Sequence, residues 1–263
     1  MNRLICKSRP AVFLMPARPV RRDAARLKPA EGTSNRRRCR VADRVTFVQQ
    51  RLALFDLDGT LVDRQSAVTG AVTALCRLHG FNPTVEQWLL ARLADRANAS
   101  DFAQLCAVFG LYEPAAELWH EYVDLMAAAV SCRPAVLTGL ARLRDTGWTI
   151  GIATNGASEI QRAKLAATGI SDLIDGVAAS GDQEIRKPDR RLFELAASRC
   201  GASLAHGGWM IGDNPAGDIG GGHQASLHTI WLRGRPWPNG LAAADHTVGD
   251  VTDAIAILLN ETE

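Results

Sequence analysis

Asp56 and Asp58 stand two positions apart in Asp56-Leu57-Asp58-Gly59-Thr60-Leu61-Val62-Asp63, directly after a short apolar run. Two carboxylates leaving a strand together can enter one site. One can act as nucleophile while the other handles protons, provided their surroundings separate their ionisation. Gly59 permits the turn and the close approach of a ligand. Further along, Thr154-Asn155-Gly156 offers a hydroxyl and backbone N–H groups just ahead of a predicted helix starting near Ala157, a combination that binds anions. In Arg186-Lys187-Pro188-Asp189, Lys187 supplies a cation that could neutralise a phosphate beside several carboxylates. Finally, Ile211-Gly212-Asp213-Asn214-Pro215-Ala216-Gly217-Asp218 runs an apolar stretch into a turn with two more acids. Acids at the ends of adjacent parallel strands suit a hard cation such as Mg²⁺, which takes oxygen ligands. Each cluster alone has an ordinary explanation as a turn, a cap or a helix start. Their joint occurrence, each at a strand-to-helix junction, points to a single site.

Those junctions require a particular framework. Leu52-Ala53-Leu54-Phe55 reads as a buried parallel strand, as do Trp148–Ala153 after a helical stretch at 137–146 and Gly208–Ile211 after one at 189–200. Further strands are expected at Gly176–Ala179, Leu227–Leu232 and His246–Val248, with a closing helix near 250–260. Strands alternating with helices of ten or so residues imply an α/β fold: a Rossmann-like parallel sheet with helices on both faces. In such a sheet, ligands bind at the carboxyl ends of the strands, where all four clusters fall. Residues 66–130 differ. They are rich in Ala and Leu and predict helices at Ser66–Leu78, Val85–Ala94, Ala99–Val108 and Ala115–Val130, with no strand among them. They read as a small all-helical domain inserted into a core made of 51–65 and 131–263.

The net charge of +2 conceals an asymmetry. Residues 1–50 carry 13 Lys or Arg against 3 Asp or Glu, leaving 17 basic and 25 acidic groups for the rest. This segment, with Arg21-Arg22 and Arg36-Arg37-Arg38 among prolines and no apolar period, reads as a disordered basic extension. It has no aromatic interleaving for base stacking, so nucleic acid is not expected as a partner. No stretch reaches the roughly 18 apolar residues of a membrane span. The six cysteines are scattered without C-x-x-C spacing, as expected for reduced thiols in a cytoplasmic protein, and exclude a zinc or disulfide framework.

Over roughly residues 51–250 the sequence resembles the haloacid dehalogenase-like hydrolase superfamily. The resemblance rests on Asp56-Leu57-Asp58-Gly59-Thr60, Thr154-Asn155-Gly156, Lys187-Pro188-Asp189, and Gly212-Asp213-Asn214-Pro215 with Asp218. It implies Asp56 as a nucleophile forming an aspartyl-phosphate. It implies Asp58 as the group that protonates the leaving oxygen and then activates water, its carbonyl binding Mg²⁺. Thr154 and the Asn155 backbone would hold the phosphoryl group, Lys187 would offset its charge, and Asp213 would complete a Mg²⁺ site with Asp56 and Asp58. Asp218 would orient Lys187 or metal-bound water from behind. The helical insert falls where this family places a cap over the site.

The family's dehalogenases lack an acid at the second position, because no alkoxide needs a proton. Asp58 therefore favours a Mg²⁺-dependent phosphatase acting on a small-molecule phosphate ester. A phosphomutase on a sugar phosphate is the alternative. More remote is a non-catalytic protein that holds nucleic acid through its basic tail. Arg92, Arg96, Trp119 and His120 are candidate cap contacts, each with a plainer explanation as a solvated or core side chain. Gly220-Gly221-Gly222 is expected to mark a kink or close helix packing, and Arg233–Pro238 an exposed turn. Neither substrate nor oligomeric state is encoded in any motif.

Overall fold

The computed structural model describes residues 50–261; the basic run before them lies outside the described residues. Six strands form one parallel sheet: β1 (Leu52–Phe55), β2 (Thr149–Thr154), β3 (Gly176–Ala179), β4 (Trp209–Gly212), β5 (His228–Leu232) and β6 (His246–Val248). Their spatial order is β3-β2-β1-β4-β5-β6, every pair parallel. The chain thus builds outward from β1 on one side, then returns to add β4 on the other. Between β1 and β4 the connections diverge to opposite directions, leaving the crevice in which such sheets bind ligands.

Every residue of β1 is buried, because a central parallel strand is covered on both faces. Alternate side chains divide between two cores. Ala53 and Phe55 join Ile150, Ile152 and Ile211 on one face, while Leu52 and Leu54 join Ala178, Phe193 and Met210 on the other. The first face is covered by α5 (Pro134–Asp145), α6 (Ser158–Thr168) and α9 (Val251–Asn260), and the second by α7 (Arg190–Arg199). This is the expected doubly covered sheet.

Four helices lie between β1 and α5: α1 (Arg64–His79), α2 (Pro83–Arg92), α3 (Ala99–Phe109) and α4 (Ala115–Ala129). Each matches an expected helix within a few residues. Asp63, the last acid of the first cluster, caps α1 by accepting from the Ser66 amide at 3.1 Å. Phe102, Trp119 and Tyr122 pack as a ring cluster inside the insert, with centroids 5.2–6.2 Å apart. Its buried side chains are continuous with the core on the α6 face of the sheet.

The helix expected after Asp218 takes a different form. A π-helical turn spans Pro215–Gly220 and leads into the short α8 (Gly221–Gln224). Gly221 has no room for a side chain: a Cβ there would meet the Phe193 ring at 2.7 Å. Close packing therefore accounts for the glycine run, as expected.

Candidate active site

The four clusters converge at the carboxyl edge of β1, β2 and β4. Asp56 continues β1 by donating its amide to Ile211 O at 2.9 Å, which anchors the nucleophile candidate to the neighbouring strand. Its Oδ1 accepts the Leu57 amide at 2.8 Å. Lys187 Nζ sits 2.8 Å from that same oxygen and 2.6 Å from Oδ1 of Asp218. Both Lys187 and Asp218 are buried, Asp218 completely. Burial alone would pull the lysine toward its neutral form, but the charges of Asp218 and Asp56 outweigh it and raise its pKa, so it stays an ammonium.

Asn155 explains how Lys187 is held there from 32 residues away. Its Oδ1 accepts the Lys187 amide at 2.9 Å and its Nδ2 donates to the Lys187 carbonyl at 3.2 Å. Asp218 Oδ2 accepts the Asn214 amide at 2.9 Å, which folds the last cluster back on itself. Gly212 is obligatory here, because a Cβ would lie 2.1 Å from Asp218 Oδ2.

Carboxylate oxygens of Asp56, Asp213 and Asp218 lie within 4.8 Å of one another, close enough to share a cation. Asp213 Oδ1 is buried without a hydrogen-bond partner among the described residues. Such an orphaned anionic oxygen is costly unless something positive meets it. Burial pushes the Asp213 pKa up, and Arg235, 2.6 Å from Oδ2, pulls against that shift. Gly59 adopts φ 80°, and a Cβ on it would reach 2.8 Å from Asp213 Oδ2. A glycine is therefore required by both backbone conformation and space.

Asp58 is held by a separate group. Lys164 Nζ contacts both of its oxygens, at 2.7 and 2.9 Å, and Gln161 Nε2 donates to Oδ2 at 3.0 Å. Gln161 Nε2 also donates to Thr154 Oγ1 at 2.7 Å, so the hydroxyl hydrogen of Thr154 remains available for another acceptor. Arg64 Nε stands 4.0 Å from Asp58. Burial pulls the Lys164 pKa down, and the charge of Asp58 opposes it.

A cavity of about 250 Å³ opens over this arrangement, lined among others by Asp56, Asp58, Asn155, Lys187, Asp218 and Arg235. Thr154 and Asp213 stand outside its lining: Thr154 is fully buried, and Asp213 lines a neighbouring cavity with Gly59 and Arg235. A larger cavity of about 590 Å³ lies at the opposite, amino edge of the sheet, beside Leu52, Trp209 and His228. It holds none of the acid clusters and lies at the edge where open α/β sheets do not bind substrates.

Four residues of the constellation escape sequence reasoning. Arg235 lies in the Arg233–Pro238 segment, which is the exposed turn expected, and from there its guanidinium pairs with Asp213. Trp231 Nε1 donates to Asp213 O at 3.1 Å and packs edge-on against Trp237, tying this loop to the site. Gln161 and Lys164 occupy the buried face of α6 together with Ile160 and Leu165. Two polar residues three apart within an otherwise apolar helical face were the available signal. Of the cap candidates, Arg92 pairs with Asp101 at 2.7 Å, Trp119 is buried core and His120 is exposed. Arg96 borders the cavity between insert and core that Asp58 also lines.

Comparison with known proteins agrees with this architecture. A family description of haloacid dehalogenase-like hydrolases matches residues 50–226. Pyrimidine 5'-nucleotidase YjjG of Escherichia coli is 31% identical over 175 residues, 66% of this chain and 68% of its own length. (S)-2-haloacid dehalogenase 4A of Burkholderia cepacia is 26% identical over 223 residues, 79% of this chain and 94% of that protein. The crystal structure of a HAD phosphatase from Thermococcus onnurineus superimposes with a TM-score of 0.58 at 25% identity, covering 80% of this chain and 98% of that one. No described helix is long and apolar enough to cross a membrane.

Proposed function

Because the chain belongs to the haloacid dehalogenase-like hydrolase family, we propose that it is a Mg²⁺-dependent phosphatase cleaving a small-molecule phosphate monoester through an aspartyl-phosphate on Asp56. The observation that carries this choice is the second carboxylate, Asp58, lining the same cavity as Asp56. Displacing a halide needs no proton donor, whereas an alkoxide leaving from phosphorus does. The dehalogenase relatives share the framework, and Asp58 is what supports chemistry on phosphate esters.

The residues present fit a divalent cation. Asp56, Asp213 and the backbone carbonyl of Asp58 would hold Mg²⁺, with Asp213 Oδ1 the orphaned oxygen such an ion would satisfy. When bound, the ion supplies positive charge against the phosphate oxygens and the nucleophile. Asp218 serves from behind by holding Lys187.

The protein's own residues carry the steps. The Thr154 hydroxyl and the Asn155 backbone N–H donate to phosphoryl oxygens, and Lys187 offsets the charge that builds there. Lys187 and the Leu57 amide both engage Asp56 Oδ1, leaving Oδ2 to attack phosphorus. Asp58, a carboxylate beside Lys164 in the free protein, takes up a proton as the substrate binds. As the Oδ2–P bond forms, the ester P–O bond breaks and Asp58 gives that proton to the leaving oxygen. Asp58 then takes a proton from water, the resulting hydroxide attacks phosphorus, and the Oδ2–P bond breaks to release phosphate and free Asp56.

Helices α1–α4 act as the cap, which excludes bulk water and contacts the leaving group. The test is phosphate release from a panel of phosphate esters, with Mg²⁺ and with EDTA, by wild type and Asp56→Asn. Metal-dependent release by the wild type alone is expected. An isomerised sugar phosphate without net release would assign a phosphomutase instead.

A further inference from the structure

Lys164 is the most deeply buried cation beside the site that the catalytic scheme leaves unused: it is 1% exposed, on the inner face of α6. A buried ammonium survives only if its three N–H groups are met. Here all three are, by Asp58 Oδ1 at 2.7 Å, Asp58 Oδ2 at 2.9 Å and Gln161 Oε1 at 3.0 Å. Gln161 is equally saturated, spending its amide donors on Asp58 Oδ2 and Thr154 Oγ1. The result is a closed network joining the acid–base carboxylate of one strand end to the phosphate-contacting hydroxyl of the next.

We propose that Lys164 and Gln161 are positioning residues that fix the Asp58 side chain and the Thr154 hydroxyl relative to each other, so that proton donor and phosphoryl cradle meet the substrate in one geometry. Asp58 follows the end of β1 and precedes Gly59, so its own backbone offers little to hold the side chain. Its two oxygens are instead gripped from α6, 103 and 106 residues further along the chain. A proton donor misplaced by about 1 Å loses rate steeply, and networks whose every donor is spent are stiff. No hydrogen bond joins the pair to Lys187 or Asp56, and Asp56 feels Lys164 only through its charge, so the pair's contacts act on chemistry through Asp58 and Thr154.

This inference rests on the acid–base role given to Asp58 above, and the experiment separates the two. Turnover of para-nitrophenyl phosphate and of glycerol 2-phosphate by the full chain with Mg²⁺ is measured for wild type and five variants. These are Asp58→Asn, Lys164→Met, Lys164→Arg, Gln161→Met and the double variant Asp58→Asn/Lys164→Met. Gln161→Met leaves the charge pair intact and so keeps the test open if Lys164→Met folds poorly. Lys164→Met is expected to lower kcat on the alkyl ester by about 10- to 100-fold, within the range of general acid catalysis, and much less on the aryl ester. Gln161→Met, which also releases the Thr154 hydroxyl, is expected to lower both, the alkyl ester more. Lys164→Arg should recover part of the loss, and Lys164→Met should cost nothing further once Asp58 is already Asn. Equal losses on both esters that persist in the Asp58→Asn background would overturn the positioning role and leave Lys164 as a structural ion pair. If Asp58→Asn itself shows no leaving-group dependence, the acid–base role fails first and this inference with it.

Discussion

The Nε of Arg235 lies 2.6 Å from Oδ2 of Asp213, the acid that would complete a cation site with Asp56. The arginine side chain is half exposed while Asp213 is nearly buried, so the guanidinium covers the acid from the solvent side. A divalent ion held there would compete with Arg235 for one carboxylate. Arg235→Gln should therefore tighten Mg²⁺ binding by roughly two- to fivefold, the weight of a half-exposed ion pair of about 0.5–1 kcal/mol. The rise in melting temperature with added Mg²⁺ reads this without reference to turnover. An unchanged or weakened response in the variant would show that Arg235 supports the site rather than competing for it.

Asp56→Asn is nearly isosteric and leaves Lys187 its contact with Asp218. Phosphate release should fall by about a thousandfold or more, while the circular dichroism spectrum stays that of the wild type. Residual activity within tenfold of wild type would remove Asp56 from the nucleophile role.

Asp58→Asn should also be felt in stability, because it leaves the buried Lys164 ammonium without its counter-charge. Breaking such a pair costs about 3 kcal/mol, toward the low end for buried pairs since Asp58 keeps some exposure. Adding Lys164→Met removes the stranded charge and should restore part of the loss. Urea midpoints of the single and double variants measure both steps.

Asp182 gives the fold an acid-sensitive contact away from the proposed chemistry. Burial would raise its pKa, but Arg162, Ser158 and Arg199 overcome this and hold the carboxyl well below the usual range. A depressed folded-state pKa stabilises the protein above the unfolded value, and that stabilisation is lost as pH falls toward the folded one. Wild type should thus lose stability steadily below about pH 4. Asp182→Asn should be weaker by roughly 1–3 kcal/mol at neutral pH and flatter in acid, as melting temperatures across pH 2–7 would reveal.

The strands were legible because a parallel strand buried on both faces must be apolar without a break, and Leu52–Phe55 and Trp209–Ile211 are such runs. The four helices between β1 and α5 were legible through helical spacing and the lack of any strand-like run there. Asp56, Thr154, Lys187, Asp213 and Asp218 could be chosen as site residues because each sits at the carboxyl edge of the sheet, where topology gathers ligands. Spacing alone did not disclose which side chains support them. Lys164 reaches Asp58 across 106 residues, Asn155 grips Lys187 across 32, and Arg235 meets Asp213 across 22. No local period records such pairs. A helical face or a loop becomes a partner only once the sheet has set which strand ends are neighbours. Sequence by itself determined the framework and nominated the groups proposed to react; the packed chain alone decided the orientation and charge balance of those groups, because burial and long-range contact exist only after folding.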